Sequence, residues 1–142
     1  MNLESLRTCC LSLPHVTSNI QWGNDLLFRV GEKIFAVTCL ELTVPHRISF
    51  KCTPEEFSEL IERDGIIPAP YMAHNHWVTL ERFDALPDRE IQNLIRRSYE
   101  MMYEKLPKKV KTSFEQRTVQ SAGSSTRRAK EASPSGKRRK RN

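Results

Sequence analysis

Four short segments near the N-terminus constrain the fold more than any other feature of this sequence. Each is rich in β-branched and aromatic residues and is bounded by turn residues, which predicts strands at residues 15–22, 26–30, 33–40 and 47–52. Between the second and third segments, Gly31-Glu32 fits a two-residue type II′ turn with glycine at its first central position. Consecutive strands joined by short turns predict an antiparallel meander.

A helix is predicted on each side of this meander. Leu3, Leu6, Cys10 and Leu13 recur at helical spacing, which predicts a first helix of about 12 residues that ends before Pro14. The segment after the fourth strand has local signals for a second helix.

The second helix is predicted from its capping residues. Thr53 is the expected N-cap, Pro54 takes the first helical position, and Glu56 completes a capping box. Gly65 is expected at C′, just beyond the end of the helix.

A further strand and a last helix complete the predicted elements. The strand covers about His76 to Leu80, and the helix begins near Asp88 and continues until Pro107 ends it. The core face of this helix is formed by Ile91, Leu94, Ile95, Met102 and Leu106. The order of elements predicts an α+β fold: a two-layer sandwich with an antiparallel sheet of about five strands and helices packed on one face.

Charge divides the chain into two parts. Residues 1–106 have 11 Lys and Arg against 15 Asp and Glu, a net charge of −4, whereas residues 107–142 have 12 against 2, a net charge of +10. No apolar periodicity is visible from Lys108 onward, so this end cannot bury enough surface to offset the entropy of ordering. We therefore predict a folded domain at residues 1–111 and a disordered basic tail at residues 112–142.

Composition also limits the cellular class. No run of about 18 apolar residues occurs, and the first residues have neither the basic nor the apolar region of a signal peptide. We expect a cytoplasmic protein with no membrane partner. The four cysteines include no C-x-x-C pair, so reduced thiols are expected.

Candidate chemistry is concentrated in "IIPAPYMAHNHW", residues 66–77. His74 and His76 lie two residues apart, which on a strand would put both imidazoles on one face, and the distant candidates for a third metal ligand are His46, Cys39 and Cys52. Two histidines are too few for a site, and no nucleophile motif or glycine-rich phosphate loop is present. No catalytic residue, metal, cofactor or small-molecule substrate is predicted.

Basic residues give the more informative pattern. They gather at the end of the last helix and in the tail, where a mobile polycation would release counterions on meeting a phosphate backbone. The candidate DNA-binding residues in this region are Arg96, Arg97, Lys105, Lys108, Lys109, Lys111, Arg127, Arg128, Lys130, Lys137, Arg138, Arg139, Lys140 and Arg141. A bipartite nuclear localisation signal is also compatible with residues 127–140, and a solubilising tail is the remaining interpretation.

Several segments in sequence order resemble the MmcQ/YjbR-like family of small, mostly bacterial proteins. They are "WGNDLLFRVGEKIFAV", "RISFKCTPEEFSELIER", "GIIPAPYMAHNHWVTLE" and "LPDREIQNLIRRSYEMMYEKLPKKV", and the resemblance covers about residues 1–111. It implies a fold similar to frataxin and CyaY, with an antiparallel sheet and helices on one side. The family is described as DNA-binding with a double-wing arrangement and has no established enzymatic activity.

The resemblance implies a wing at the Gly31-Glu32 hairpin. Arg29 and Lys33 flank this turn and are therefore added to the candidate DNA-binding residues. The iron binding of frataxin-like folds is not transferred, because the first helix has only Glu4 as an acidic residue.

The predicted function is that of a small non-enzymatic DNA-binding protein. The basic end of the last helix and the tail would hold the phosphate backbone. The alternative is a protein-interaction or regulatory module with no intrinsic nucleic-acid binding.

Overall fold

The computed structural model describes residues 1–41, 47–70 and 75–124. Ten elements follow one another along the chain: α1 (Leu3–Leu11), β1 (Val16–Gln21), β2 (Asp25–Val30), β3 (Lys33–Cys39), β4 (Ile48–Lys51), α2 (Pro54–Leu60), β5 (Ile66–Pro68), β6 (Trp77–Leu80), α3 (Asp88–Glu104) and α4 (Lys108–Ser124). The chain divides after Leu106 into two units. The first contains the sheet with α1, α2 and α3, and the second contains α4.

The sheet is six-stranded and antiparallel throughout, in the order β1-β2-β3-β4-β6-β5. This confirms the predicted α+β class and the predicted meander of β1 to β4. The additional strand is β5, which pairs with β6 through Ile66 opposite Leu80. A strand of three residues that ends in proline is too short for alternation to reveal it in the sequence.

The first two hairpins of the meander turn through glycine. Gly31 has φ +62° between β2 and β3, as the first central position of the predicted type II′ turn requires. Between β1 and β2, Gly23 has φ +89°. A register shift at Phe28/Arg29 shows a β-bulge in the β2–β3 ladder, which strengthens the local twist.

The core lies between the sheet and α3. Phe28 and Phe50 are fully buried and share one face of the sheet with Ala36, which pairs with both. From α3, Tyr99 meets Phe35 edge to face, with ring centroids 5.5 Å apart and an interplanar angle of 86°. Of the predicted core face of this helix, Ile91, Leu94, Ile95 and Leu106 are buried and Met102 is half-buried.

Ser98 links α3 to two strands. Its hydroxyl donates to the carbonyl of Phe35 on β3 at 2.7 Å and accepts from the backbone N–H of Lys51 on β4 at 3.1 Å. The residue is fully buried, so these bonds satisfy polar groups that water does not reach. Ser98 therefore fixes the position of α3 over the sheet.

The second helix begins as predicted but ends earlier. The Oγ1 atom of Thr53 accepts from the N–H of Glu56, and Oε1 of Glu56 accepts from the N–H of Thr53, both at 3.1 Å, so the capping box is confirmed. The prediction of Gly65 as C′ was wrong, because α2 ends at Leu60 with Ile61 as its C-cap. Gly65 has φ +84° in the turn before β5, where its carbonyl accepts from the N–H of Glu81 at 2.8 Å.

The segment after Pro107 also differs from expectation. Residues 112–124 were predicted to lack regular structure, and the structure gives the 17-residue helix α4 from Lys108 to Ser124. The prediction used apolar periodicity, but the segment from Lys108 to Ala122 contains no proline or glycine and is rich in good helix formers such as Lys, Gln, Glu and Ala. Residues 125–142 lie outside the described residues, so the tail there stays a prediction.

None of the four helices in the described part of the chain combines the length and the apolar character needed to cross a bilayer.

Candidate nucleic-acid interface

The guanidinium of Arg29 is hydrogen-bonded to neighbouring residues at the surface of the sheet. Its Nε donates to Oδ1 of Asn19 at 3.1 Å, its Nη2 donates to Oε1 of Gln21 at 3.1 Å, and its Nη1 donates to the carbonyl of Glu32 at 3.2 Å. Arg29 thus ties β1 to β2 and to the hairpin turn. Lys33, the other predicted wing residue, begins β3 opposite Val30 and is half-buried.

The two adjacent arginines of α3 have different surroundings. An ion pair of 2.6 Å joins Nη2 of Arg97 to Oε2 of Glu56, and it connects α3 to the first turn of α2. Arg96 is exposed and lines an open groove of about 590 Å³ between α1 and α3, together with Cys9 and Gln92. Successive residues of a helix differ in direction by about 100°, which is why the two side chains have different neighbours.

A pair of lysines forms a positive patch on the first unit. Lys105 is the exposed C-cap of α3, and Lys51 lies at the end of β4. Partial burial lowers the pKa of Lys51, and the nearby charge of Lys105 lowers it further. The Nζ atom of Lys51 donates to the carbonyl of Asn75 at 2.6 Å.

Sequence reasoning missed Lys51 as a member of this patch. The signal was present, because Ile48 and Phe50 are buried and strand alternation therefore takes the side chain of Lys51 out of the core. Its proximity to Lys105, 54 positions away in the sequence, needed the packing of α3 on the sheet.

The first turn of α4 is basic. Lys108 and Lys109 are exposed there, Lys111 is half-buried, and no acidic residue occupies this turn. Thr112, Ser113 and Gln116 continue the surface that begins with Lys108 and Lys109. The positive end of the helix dipole favours acidic residues at this position, so three lysines here do not serve the stability of the helix.

The remaining predicted DNA-binding residues lie outside the described residues, and they stay predictions. They are Arg127, Arg128, Lys130, Lys137, Arg138, Arg139, Lys140 and Arg141. The structure therefore brings together the basic residues of the first turn of α4 and, separately, Lys51 with Lys105. It does not bring Arg29, Arg96 and Arg97 into a common surface.

The histidine pair of the sequence analysis is only partly described. His74 and His46 lie outside the described residues, whereas His76 precedes β6 with φ +63° and packs edge to face on Phe57 at a centroid distance of 5.5 Å. The carbonyl of His76 accepts from the N–H of Cys52 at 2.9 Å. Within residues 1–41, 47–70 and 75–124, no three His, Cys, Asp or Glu side chains are placed to share a metal ion.

The four cysteines all lie in the described part of the chain, and no disulfide joins any two of them. Cys10 and Cys52 are buried. Burial raises the pKa of the Cys52 thiol to about 12, with the Glu56 carboxylate adding to the effect, and burial also raises the pKa of Cys10. Thiols held in the neutral form are poor nucleophiles at neutral pH.

These features define a small α+β protein with an antiparallel six-stranded sheet and a separate basic helix. The sequence profile of the YjbR family matches residues 11–101. YyaQ of Bacillus subtilis is 34% identical over 92 residues, which cover 63% of this chain and 73% of that protein. The chain therefore belongs to the YjbR family, as its sequence motifs indicated.

Solved structures show the same fold. Protein DR2400 of Deinococcus radiodurans, which has the domain DUF419, is similar with a TM-score of 0.72 and 27% identity over 80% of this chain and 88% of that one. A protein from Pseudomonas syringae gives a TM-score of 0.61 with 22% identity, covering 72% of this chain and 99% of the other. The second likeness shows the fold alone.

Proposed function

We propose that this protein is a non-enzymatic DNA-associating protein that binds the phosphate backbone through the basic residues after Pro107. The observation that supports it most directly is the first turn of α4, where Lys108 and Lys109 are exposed at the positive end of a helix with no acid beside them. Such a turn is electrostatically unfavourable by itself and favourable when an anion is bound. Residues 107–142, with a net charge of +10, supply the long-range attraction.

The first unit has a smaller part in this proposal than the sequence suggested. Arg29 and Arg97 already donate to partners within the fold, so moving either guanidinium to a phosphate would break those contacts. Lys51 and Lys105 form a patch of the first unit that can add long-range attraction to a phosphate backbone, because the ammonium of Lys51 keeps its charge and two further N–H donors while it is bonded to the carbonyl of Asn75. Contacts of this kind read no base edges, so binding is expected to be independent of DNA sequence.

The absence of enzymatic activity is part of the same proposal. The hydroxyl of Ser98 is fully buried and already bonded to Phe35 and Lys51. The thiols of Cys10 and Cys52 are buried and neutral, for the reasons given above. The hydroxyl of Ser98 and the thiols of Cys10 and Cys52 therefore have structural roles in this proposal.

The test is the salt dependence of DNA binding, measured by fluorescence anisotropy with a labelled duplex. The variant Lys108→Gln/Lys109→Gln should bind more weakly, and the slope of log K against log salt should fall by roughly 0.9 for each lost phosphate contact. The matched control is Arg29→Gln/Arg97→Gln, which removes the same charge from side chains that already have partners. It should leave the slope unchanged, with circular dichroism verifying that both variants are folded.

Two results would count against the proposal. If the unmodified protein does not bind duplex DNA at low salt, DNA association is wrong and the protein-interaction alternative replaces it. If both double variants weaken binding equally, net charge alone determines affinity and the first turn of α4 has no special part.

A further inference from the structure

The two edges of the sheet differ in how they meet solvent. The β5 edge has three residues and ends in Pro68, which has no N–H to offer another strand. The β1 edge has six residues in unbroken register with β2. Its sequence VTSNIQ contains no charge and no proline, and the bulge of the sheet lies between β2 and β3 instead. Natural proteins usually protect an edge strand by short length, a charged residue, a proline or a bulge, and β1 has none of these four features.

Exposed apolar side chains accompany this edge. Ile20 in β1 is 58% exposed and Trp22, directly after the strand, is 62% exposed. Among the described residues, no backbone group outside the sheet is hydrogen-bonded to β1. Within residues 1–41, 47–70 and 75–124, the outer row of N–H and C=O groups of β1 therefore has no backbone partner and can pair with another strand.

Unfavourable backbone conformations delimit the strand. His15, directly before β1, has φ +65°, and Trp22, directly after it, has φ +55°. For a residue with a side chain, and above all for a bulky one, this region is unfavourable and is maintained only where the surrounding structure requires it. The extended segment is thus limited to residues 16–21, with Trp22 projecting into solvent at its end.

We propose that β1 pairs antiparallel with β1 of a second copy of this chain, joining two six-stranded sheets. A copy suits this edge because a strand without charge can lie against itself with no like charges opposed. The nearest charged side chain, Arg29, is held by Asn19 and Gln21 of its own strand pair. A strand without charge also offers nothing to select a charged peptide of another protein.

Symmetry and side-chain chemistry fix the register of this pairing. Residues opposite each other in an antiparallel pair face the same side of the sheet, so one residue of β1 must lie on the two-fold axis, opposite its own copy. The two central residues of the strand, Ser18 and Asn19, give the longest overlap. An axis at Ser18 puts Ile20 of each copy opposite Val16 of the other. This register covers the exposed Ile20 with an apolar β-branched partner twice, whereas an axis at Asn19 would oppose Ile20 to Ser18.

The register is tested by cross-linking the whole protein with Ser18→Cys. The two introduced cysteines, one from each copy, would meet on the axis with Cα atoms about 4.5–5.5 Å apart, within the range for a disulfide. Mild oxidation should convert this variant largely to a covalent dimer. The matched control is Ile20→Cys, whose copies would lie roughly 14 Å apart in this register and should not cross-link above the level of the unmodified protein.

The association itself is tested by light scattering during size-exclusion chromatography over a range of concentrations. We expect twice the mass of one chain for the unmodified protein and for Leu11→Lys, which changes an exposed apolar residue that is 41% accessible and lies on α1. Ile20→Lys should give the mass of a single chain. The proposal is overturned if the unmodified protein has the mass of one chain at every concentration, if Ile20→Lys still dimerises, or if Ser18→Cys does not cross-link.

Discussion

At the scale of single residues, one hydroxyl group links a helix to two strands of the sheet. Ser98 satisfies one backbone acceptor on β3 and one backbone donor on β4. Its place on α3 gave no functional signal in the sequence, where it had no catalytic motif around it. The packing of α3 gives it this function.

Ser98→Ala should therefore destabilise the protein by about 1–3 kcal/mol, because the buried carbonyl of Phe35 and the N–H of Lys51 would lose a partner. Urea unfolding measures this loss as a change in the free energy of unfolding. Ser58→Ala, at an exposed position of α2, is the control and should change it by no more than about 0.5 kcal/mol. Equal effects at the two positions would contradict the role given to Ser98.

A second prediction at this scale concerns alkaline pH. The pKa of Cys52 is raised to about 12 in the fold, mainly by burial, whereas in the unfolded chain it lies near 8.5. A pKa raised by folding gives stability that is fully present below the unfolded value and is lost as pH rises toward the folded one. The free energy of unfolding should fall above about pH 8.5, by at most about 1.4 kcal/mol per pH unit for this thiol.

Urea titrations under reducing conditions at several pH values from neutral to alkaline measure this loss. Cys52→Ala should have a shallower decline than the unmodified protein. Ser58→Ala, an exposed position without a thiol, should retain the full decline. A decline that is identical in all three proteins would assign the alkaline sensitivity to other groups.

At the scale of elements, the two glycine turns of the meander impose different requirements. Gly31 and Gly23 both have φ in the left-handed region. A Cβ atom at Gly31 would lie 2.8 Å from Cδ2 of Leu106, whereas a Cβ at Gly23 would meet nothing within 4 Å. The turn at Gly31 therefore also packs against Leu106, which follows the C-cap residue of α3.

Gly23→Ala should cost about 1–2 kcal/mol from backbone conformation alone. Gly31→Ala should cost more, because Leu106 must also move. The excess should disappear when both proteins are compared in a Leu106→Ala background, which a double-mutant cycle of urea unfolding measures. An excess that persists without the Leu106 side chain would show a different cause.

The elements also show which features a sequence reveals. The start of α2 was predictable because its cap consists of neighbouring residues, Thr53 and Glu56. Three features were not predictable in this way, because apolar periodicity does not record what determines them: the end of α2, the strand β5 and the helix α4. For β5 this is pairing with a distant strand, and for α4 it is intrinsic helix propensity without an apolar stripe.

At the scale of the whole molecule, charge and burial are separated along the chain. Nearly all described buried residues belong to the unit that ends at Leu106, whereas the excess of positive charge begins after it. The candidate site was predictable only in part. The location of the basic residues was readable, but which of them already had partners depended on the contacts of Arg29 and Arg97.

A chain that ends at Ser124 tests this separation. Its midpoint of urea unfolding should equal that of the full chain, because residues 125–142 have almost no apolar side chains with which to stabilise the fold. Its affinity for duplex DNA should fall and its salt slope should be smaller, because eight Lys and Arg residues are removed. A lower unfolding midpoint would show that the basic segment is part of the folded structure.

The proline at the far edge of the sheet limits how large an assembly can become. Because Pro68 ends a strand of only three residues, the β5 edge is a poor template for another copy. When β1 is occupied, no comparable edge remains in the sheet. If two copies pair through β1 as proposed, growth by strand addition stops at a closed two-fold pair and does not continue into a filament.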